Sequence, residues 1–245
     1  FPCVYTVGHL KGTELRDTDG TFHEVDRGFE FYAPQVFARR PSEPGPVLLT
    51  AWAGNASEDD QPSIQSGQWV HALSLPRALS LKNGRLIQRP ATDLPHDAGQ
   101  PALVGTPLDS GQYEPAELHG HCSWQLRLEA EPDRTSGAWG VRIGTDRSYV
   151  DIILDGGALR VDRSTSRYTQ HGAERTVTLP EGCASVLEIV HDRSLTEVFV
   201  GDGALAFTMR SFVDPDSSGA RLLAGGVLTL KSGRVRTFTP VPEAL

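Results

Sequence analysis

The sequence predicts an all-β protein, on three observations. No stretch carries long helical periodicity, short apolar or alternating runs recur along the chain, and turn-forming pairs separate them. Gly and Pro are frequent throughout, at 25 and 17 of 245 residues, which fits a fold rich in turns and not a disordered chain. The length suits two modest domains or one large all-β domain.

The turn pairs come first. Asp19-Gly20, Asn83-Gly84, Asp202-Gly203 and Ser232-Gly233 each stand between strand-like segments. Such pairs tolerate the positive φ angles of tight hairpins. Asp155-Gly156-Gly157 stands likewise between Val150–Leu154 and Ala158–Val161. Alternation is clearest in Thr196-Glu197-Val198-Phe199-Val200, which predicts Val198 and Val200 on one face and Glu197 and Phe199 on the other. Trp139, Val141 and Ile143 are expected to share a core face. Between Ala91 and Glu117 four prolines fall among three glycines. Proline removes a ladder donor, so no central strand is expected there, and the segment reads as a linker between two β domains.

Charge and cysteine usage exclude several classes. The net charge of −8 is spread without long runs, which argues against a nucleic-acid partner or an anionic membrane surface. No apolar run reaches the roughly 18 residues of a membrane helix. Cys3, Cys122 and Cys183 are too few and too widely spaced for a disulfide framework. His119-Gly120-His121-Cys122 places three ligand-type residues together, but there is no second cluster, and a strand would point Cys122 away from both histidines. No metal and no cofactor is expected. No Gly-x-Ser-x-Gly elbow is present, and Leu223-Ala224-Gly225-Gly226-Val227 reads as strand chemistry, not a phosphate loop. Asn55-Ala56-Ser57 fits a glycosylation sequon, which matters only in a secreted eukaryotic protein.

Four stretches, in order over most of the chain, carry a resemblance. They are Asp26-Arg27-Gly28-Phe29-Glu30-Phe31-Tyr32-Ala33-Pro34-Gln35; Ala51-Trp52-Ala53-Gly54-Asn55; Trp69-Val70-His71-Ala72-Leu73-Ser74-Leu75-Pro76-Arg77 with Gly84–Pro90; and Val161-Asp162-Arg163-Ser164 with Asp192-Arg193-Ser194, Glu197-Val198-Phe199 and Asp202-Gly203. Together they resemble the invertase, levanase and inulinase enzymes of glycoside hydrolase family 32, the group that includes sucrose-6-phosphate hydrolases. The resemblance implies the final blades of a five-bladed β-propeller (1–92), a linker (93–114) and a two-sheet β-sandwich (115–245). It implies retaining hydrolysis of terminal β-D-fructofuranosides such as sucrose, sucrose 6-phosphate or fructans.

The departures from the family pattern decide the site. Its Asn-Asp-Pro-Asn, Arg-Asp-Pro and Glu-Cys-Pro motifs do not occur, and Cys3 follows Pro2. Glu30 stands where the family writes Asp. No catalytic residue is therefore carried over. Retaining glycoside hydrolysis needs two carboxyl groups about 5–5.5 Å apart, and these are expected in propeller blades upstream of Phe1, in cis or as a nicked partner. The chain by itself is expected to be inactive. Its expected contribution is one wall of a sugar pocket: Tyr32 and Trp52 as aromatic plates, Asp26 and Gln35 as hydrogen bonders to a fructose-containing saccharide. Each has a plainer alternative, blade core for the aromatics and a turn-forming role for Asp26. Arg77 is expected to lock blade edges through a carboxylate, and Arg163 to pair with Asp162 or Glu197. The competing reading of the whole is a non-catalytic carbohydrate-binding or structural module. Cytoplasmic and secreted locations both stay open.

Overall fold

The computed structural model describes residues 2–38, 44–58, 60–67, 70–91, 100–101, 108–214 and 219–238. Apart from one short helix, α1 (Pro62–Gly67), and short 3-10 turns, it is built of strands. No sheet closes on itself among the described residues.

The first unit holds β1 (Val4–Tyr5), β2 (His9–Lys11), β3 (Glu14–Arg16), β4 (His23–Glu24), β5 (Tyr32–Val36), β6 (Val47–Ala53), β7 (Ala72–Leu73), β8 (Arg77–Lys82) and β9 (Arg85–Pro90). β5, β6, β8 and β9 form one antiparallel sheet in that order, with β7 also on β6. Asn83 and Gly84, both at positive φ, close the β8–β9 hairpin as their pairing predicts. One face of this sheet feeds a small cluster of Val25, Phe31, Leu49 and Ala51.

The second unit runs from β10 (Gln100–Pro101) through β11 (Gly111–Tyr113), β12 (Ser123–Ala130), β13 (Trp139–Gly144), β14 (Tyr149–Asp155), β15 (Ala158–Asp162), β16 (Glu174–Thr178), β17 (Val186–Asp192), β18 (Leu195–Val200), β19 (Leu205–Arg210) and β20 (Ala220–Ala224) to β21 (Leu230–Thr237). It forms two six-stranded sheets, β10-β21-β12-β17-β18-β19 and β11-β20-β13-β14-β15-β16. They bury one common core. Trp124, Leu126 and Leu128 of β12 alternate into it from one sheet, and Val141, Ile143 and Ile152 reach it from the other. Trp139, Val141 and Ile143 share this core face as their spacing predicts. Within the proline-rich segment, the described strands lie at sheet edges, and Ala116 and Glu117 begin a 3-10 turn. β10 and β11 each end a sheet, where a proline leaves no ladder donor missing from a central position.

One turn expectation is corrected. Ser232-Gly233 is not a hairpin turn but lies inside β21, with Gly233 opposite Leu128. A glycine in a strand reads like a turn signal, and here only pairing with β12 decides between the two.

The two units are joined by a brace on the outer face and edge of β18–β19. The segment 26–30 runs along β19: Arg27 N donates to Ala206 O and Phe29 N to Thr208 O, each at 2.9 Å. Gly28 is required there, since a Cβ would sit 1.9 Å from Thr208 O. The added segment covers an edge strand that would otherwise expose unpaired backbone. Charges lock it. Arg77, fully buried, donates to Glu197 Oε2 through Nε (3.0 Å) and Nη2 (2.6 Å) and to Asp26 Oδ2 through Nη1 (2.9 Å). Its guanidinium lies between the rings of Phe31 and Phe199. Burial works against its charge, but Glu197 and Asp26 outweigh burial and hold its pKa above the ordinary arginine value. Arg163 makes a two-bond fork to Glu30, at 2.7 and 2.9 Å. The expected pairing of Arg163 with Asp162 or Glu197 is thus corrected: its partner is Glu30, 133 residues away, while Glu197 serves Arg77. Neighbours in sequence alternate across a strand, so Asp162 cannot share Arg163's side of the sheet.

Candidate functional site

The site is built on β5 and β6. Along β6 the residues Leu49, Ala51 and Ala53 are buried, while Thr50 and Trp52 lie on the opposite face and are half-buried. The β5–β6 register slips between Tyr32 and Gln35, so that Tyr32 opposes Trp52 and Gln35 opposes Thr50. Ala33, inside the bulge, takes φ +46, a conformation rare for a residue with a side chain. Opposed residues of an antiparallel pair share a face. The bulge therefore brings three of the four sequence-predicted residues, Tyr32, Gln35 and Trp52, onto one surface. Tyr32 is 44% exposed, and its ring centroid lies 6.2 Å from that of Trp52 at an interplanar angle of 64°. Gln35 is exposed.

Asp26, the fourth, is elsewhere. Its side chain is 1% exposed. Oδ1 accepts from Gly28 N (2.7 Å) and Thr208 N (2.9 Å), and Oδ2 from Thr208 Oγ1 (2.7 Å) and Arg77. Every lone pair faces the brace between the units. Trp69, which opens the third motif, lies outside the described residues.

The shelf has a polar backing that the sequence did not reveal. His71 returns from the loop after α1 to stand edge-on to Trp52, with ring centroids 4.6 Å apart at 87°. Gly54 leaves the space for both rings: a Cβ there would meet His71 Nδ1 at 2.3 Å and Trp52 Nε1 at 2.8 Å. Burial, then the nearby Arg210 charge, push His71 below the ordinary histidine value, which keeps its ring neutral at pH 7. Behind it Glu58 is buried, taking a hydrogen bond from Gln61 Nε2 at 2.8 Å and standing 2.9 Å from His171 Nε2. Burial, then the proximity of Glu30, raise the Glu58 pKa. Arg210 of β19 donates to Val70 O at 2.9 Å, so the second unit holds the backbone beside His71. Glu58, His171 and Arg210 lie far apart in sequence, and no local signal links them. His71 had one, its place in Trp69-Val70-His71, but that place by itself points to no role.

Chemically the arrangement offers an amphipathic aromatic surface edged by amide and hydroxyl groups, which suits the apolar faces and hydroxyls of a sugar. No group of three or more His, Cys, Asp or Glu side chains able to hold a metal ion occurs among the described residues.

Comparison with known proteins gives two family matches. The N-terminal domain of glycosyl hydrolases family 32 matches residues 1–90, and the C-terminal domain of the same family matches residues 100–237. A probable sucrose-6-phosphate hydrolase of Psychromonas ingrahamii is 33% identical over 202 residues, covering 80% of this chain and 34% of its own length. Raffinose invertase of Escherichia coli is 33% identical over 233 residues, covering 91% of this chain and 45% of its own. The chain therefore spans less than half the length of these relatives. Among solved structures, an exo-inulinase from Aspergillus awamori superposes on 97% of this chain and 50% of its own at a TM-score of 0.77 and 19% identity. A sucrose-6-phosphate hydrolase from Lactobacillus gasseri does so on 97% and 48%, at 0.73 and 22%. At these identities the structural likeness speaks for the fold.

Proposed function

The chain belongs to glycosyl hydrolase family 32, and from that premise we propose that it is the C-terminal part of a retaining hydrolase of terminal β-D-fructofuranosides. In this reading residues 1–92 are the last blades of a five-bladed propeller, 93–114 the connection, and 115–245 a two-sheet β-sandwich. Tyr32, Trp52 and Gln35 form one wall of the sugar pocket. The nucleophile and the acid/base carboxyl, about 5–5.5 Å apart in such enzymes, come from blades outside these residues, in cis or as a nicked partner. The substrate class is sucrose, sucrose 6-phosphate or a fructan.

One observation carries the reading. Among the described residues, ten large apolar side chains of the first unit are exposed, Leu10, Phe22, Phe37 and Leu73 included, against one in the second, Val227. A unit with that much uncovered apolar surface, and a sheet whose β5 edge is unpaired among the described residues, suits packing against further blades. The polar brace fits the same picture, because it orients the sheet for neighbours instead of covering it.

The test is an assay of the 245-residue chain for fructose release from sucrose, sucrose 6-phosphate and inulin, alone and together with the upstream propeller half. Alone it should show no turnover; with the partner half, turnover should appear. Trp52→Ala in the reconstituted enzyme should weaken saccharide binding about tenfold, or about 1.4 kcal/mol, with no loss of folding. Turnover by the chain alone would sink the assignment of the carboxyls. Saccharide binding without turnover in the reconstituted protein would favour the non-catalytic module.

A further inference from the structure

An aromatic plate serves a ligand only if its ring plane is fixed. Trp52 is half-buried, and its ring neighbours among the described residues are Tyr32, exposed and 6.2 Å away, and His71, edge-on at 4.6 Å and 87°. A side chain as open as Tyr32 constrains a neighbour weakly, so the orientation of the indole falls to His71.

His71 is held at two points. Beside it, Val70 O accepts from Arg210 Nη1 at 2.9 Å, which fixes the backbone. Its ring is met by Gln61, which is buried just ahead of α1 and stands with Nε2 3.4 Å from Nδ1. That contact is long, and Glu58 gives it direction. Gln61 Nε2 also donates to Glu58 Oε2 at 2.8 Å, while Gln61 Oε1 has no partner. A carboxylate oxygen accepts, so the amide nitrogen and not the amide oxygen faces it. An amide nitrogen carries two hydrogens, and the second is turned to the imidazole. Nδ1 accepts it, which places the single proton of the neutral ring on Nε2.

We propose that His71 is a positioning residue for the sugar plate: the Glu58–Gln61 pair sets its tautomer and ring angle, and its edge sets the plane of Trp52. The functional part rests on Trp52 being a pocket wall; the contact and the tautomer stand without it. The charged and titratable groups around this chain of contacts are Arg210 from β19, Glu58, Glu30 and Arg163 at the seam, and His171 and Tyr168 from the loop after β15. Arg210 opposes a second cation beside it. A proton gained at Nδ1 faces the Gln61 N–H, so acid should release the ring and Trp52 with it.

Nitrogen NMR of the 245-residue chain tests the contact, with the Trp52 indole signal assigned by its loss in Trp52→Phe. At about pH 8, above the histidine range, His71 should show an unprotonated Nδ1. On acidification the Trp52 indole should shift together with the His71 ring, at a midpoint below the ordinary 6.5. His71→Phe should abolish that shift. Glu58→Gln, which still accepts from Gln61 but does not titrate, should keep it. A protonated Nδ1 at about pH 8, an indole shift that survives His71→Phe, or one that Glu58→Gln abolishes would overturn the proposal. Kinetics with the upstream propeller half test the role. His71→Ala should raise KM for sucrose several-fold and change kcat far less, as lost uniform binding does. It should add nothing to Trp52→Ala, because both act through one plate. Additive effects, or a fall in kcat at constant KM, would overturn the role. An unchanged KM in Trp52→Ala would overturn the pocket-wall reading and the positioning role with it, while the NMR result decides the contact.

Discussion

The two units hold together by different physics. The second closes an apolar core between two six-stranded sheets, with Leu126, Leu128, Val141 and Ile152 almost wholly buried. The first has a cluster of four buried apolar residues and leaves much of its apolar surface open. What fixes it in place is polar: Asp26, Arg77 and Glu197 in one network, Glu30 and Arg163 in the other. β18 belongs to both regimes. Val198 and Val200 face the common core, while Glu197 and Phe199 face the first unit and Arg77. An apolar core is non-directional and supplies stability. A buried ion network supplies stability only when complete, and its directional bonds fix one docking geometry in return.

The largest expected effect attacks that contrast directly. Arg77→Ala strands Asp26 and Glu197 without their cation and should cost about 3–5 kcal/mol in urea unfolding. Replacing Arg163 and Glu30 together by Met and Leu should cost far less than either single change. If the single and double variants cost the same, the brace is not acting as paired charge.

Leu126→Ala, by comparison, should cost about 2–5 kcal/mol through lost burial and the cavity it leaves. Its effect should follow the second unit's unfolding and spare the docking of the first, as read by hydrogen exchange at Arg27 and Phe29. Equal loss of protection in both places would mean that the two regimes are a single cooperative one.

Acid sharpens the comparison from another side. His191 is buried in the second unit, 2.8 Å from Thr196 Oγ1, and burial pushes its pKa down to about 4 from 6.5. The folded state therefore stays neutral where the unfolded chain takes a proton. Stability from this group is complete above pH 6.5 and is lost as the pH falls towards about 4, by up to about 1.4 kcal/mol per unit. His191→Gln should flatten that slope in melts across this window. An unchanged slope would place the acid sensitivity elsewhere.

The smallest effect is expected at the surface. Lys231 and Glu129 stand 2.7 Å apart, with Lys231 largely exposed. Lys231→Ala should leave the urea unfolding midpoint essentially unchanged, because solvent screens an exposed pair. A clear drop would show that exposed pairs carry weight in this fold comparable to buried ones.

The hairpins at Asn83-Gly84 and Asp155-Gly156-Gly157 were legible because backbone strain is local: positive φ selects these residues wherever they sit. Tyr32, Gln35 and Trp52 were legible as candidates through their motifs, although their shared face depends on a bulge at Ala33–Pro34 that no pattern of alternation announces. Nothing in the local sequence around Asp26 and Gly28 announces the partners that either meets. Both follow from the approach of residues 26–30 to β19, some 180 residues on.

By itself, then, the sequence determined the all-β class, the inward faces of strands such as β13, most tight turns and the family, because period-two alternation, turn chemistry and motif order are written over a few residues at a time. Tertiary structure alone decided that Arg163 pairs with Glu30, that Asp26 is held in the seam by Arg77 and Thr208, that Ser232-Gly233 is strand, and that Glu58, His171 and Arg210 gather around the segment that carries His71. Those are matters of partner and register across 100 residues or more, and a side chain's charge states what it needs without stating where in the chain the answer lies.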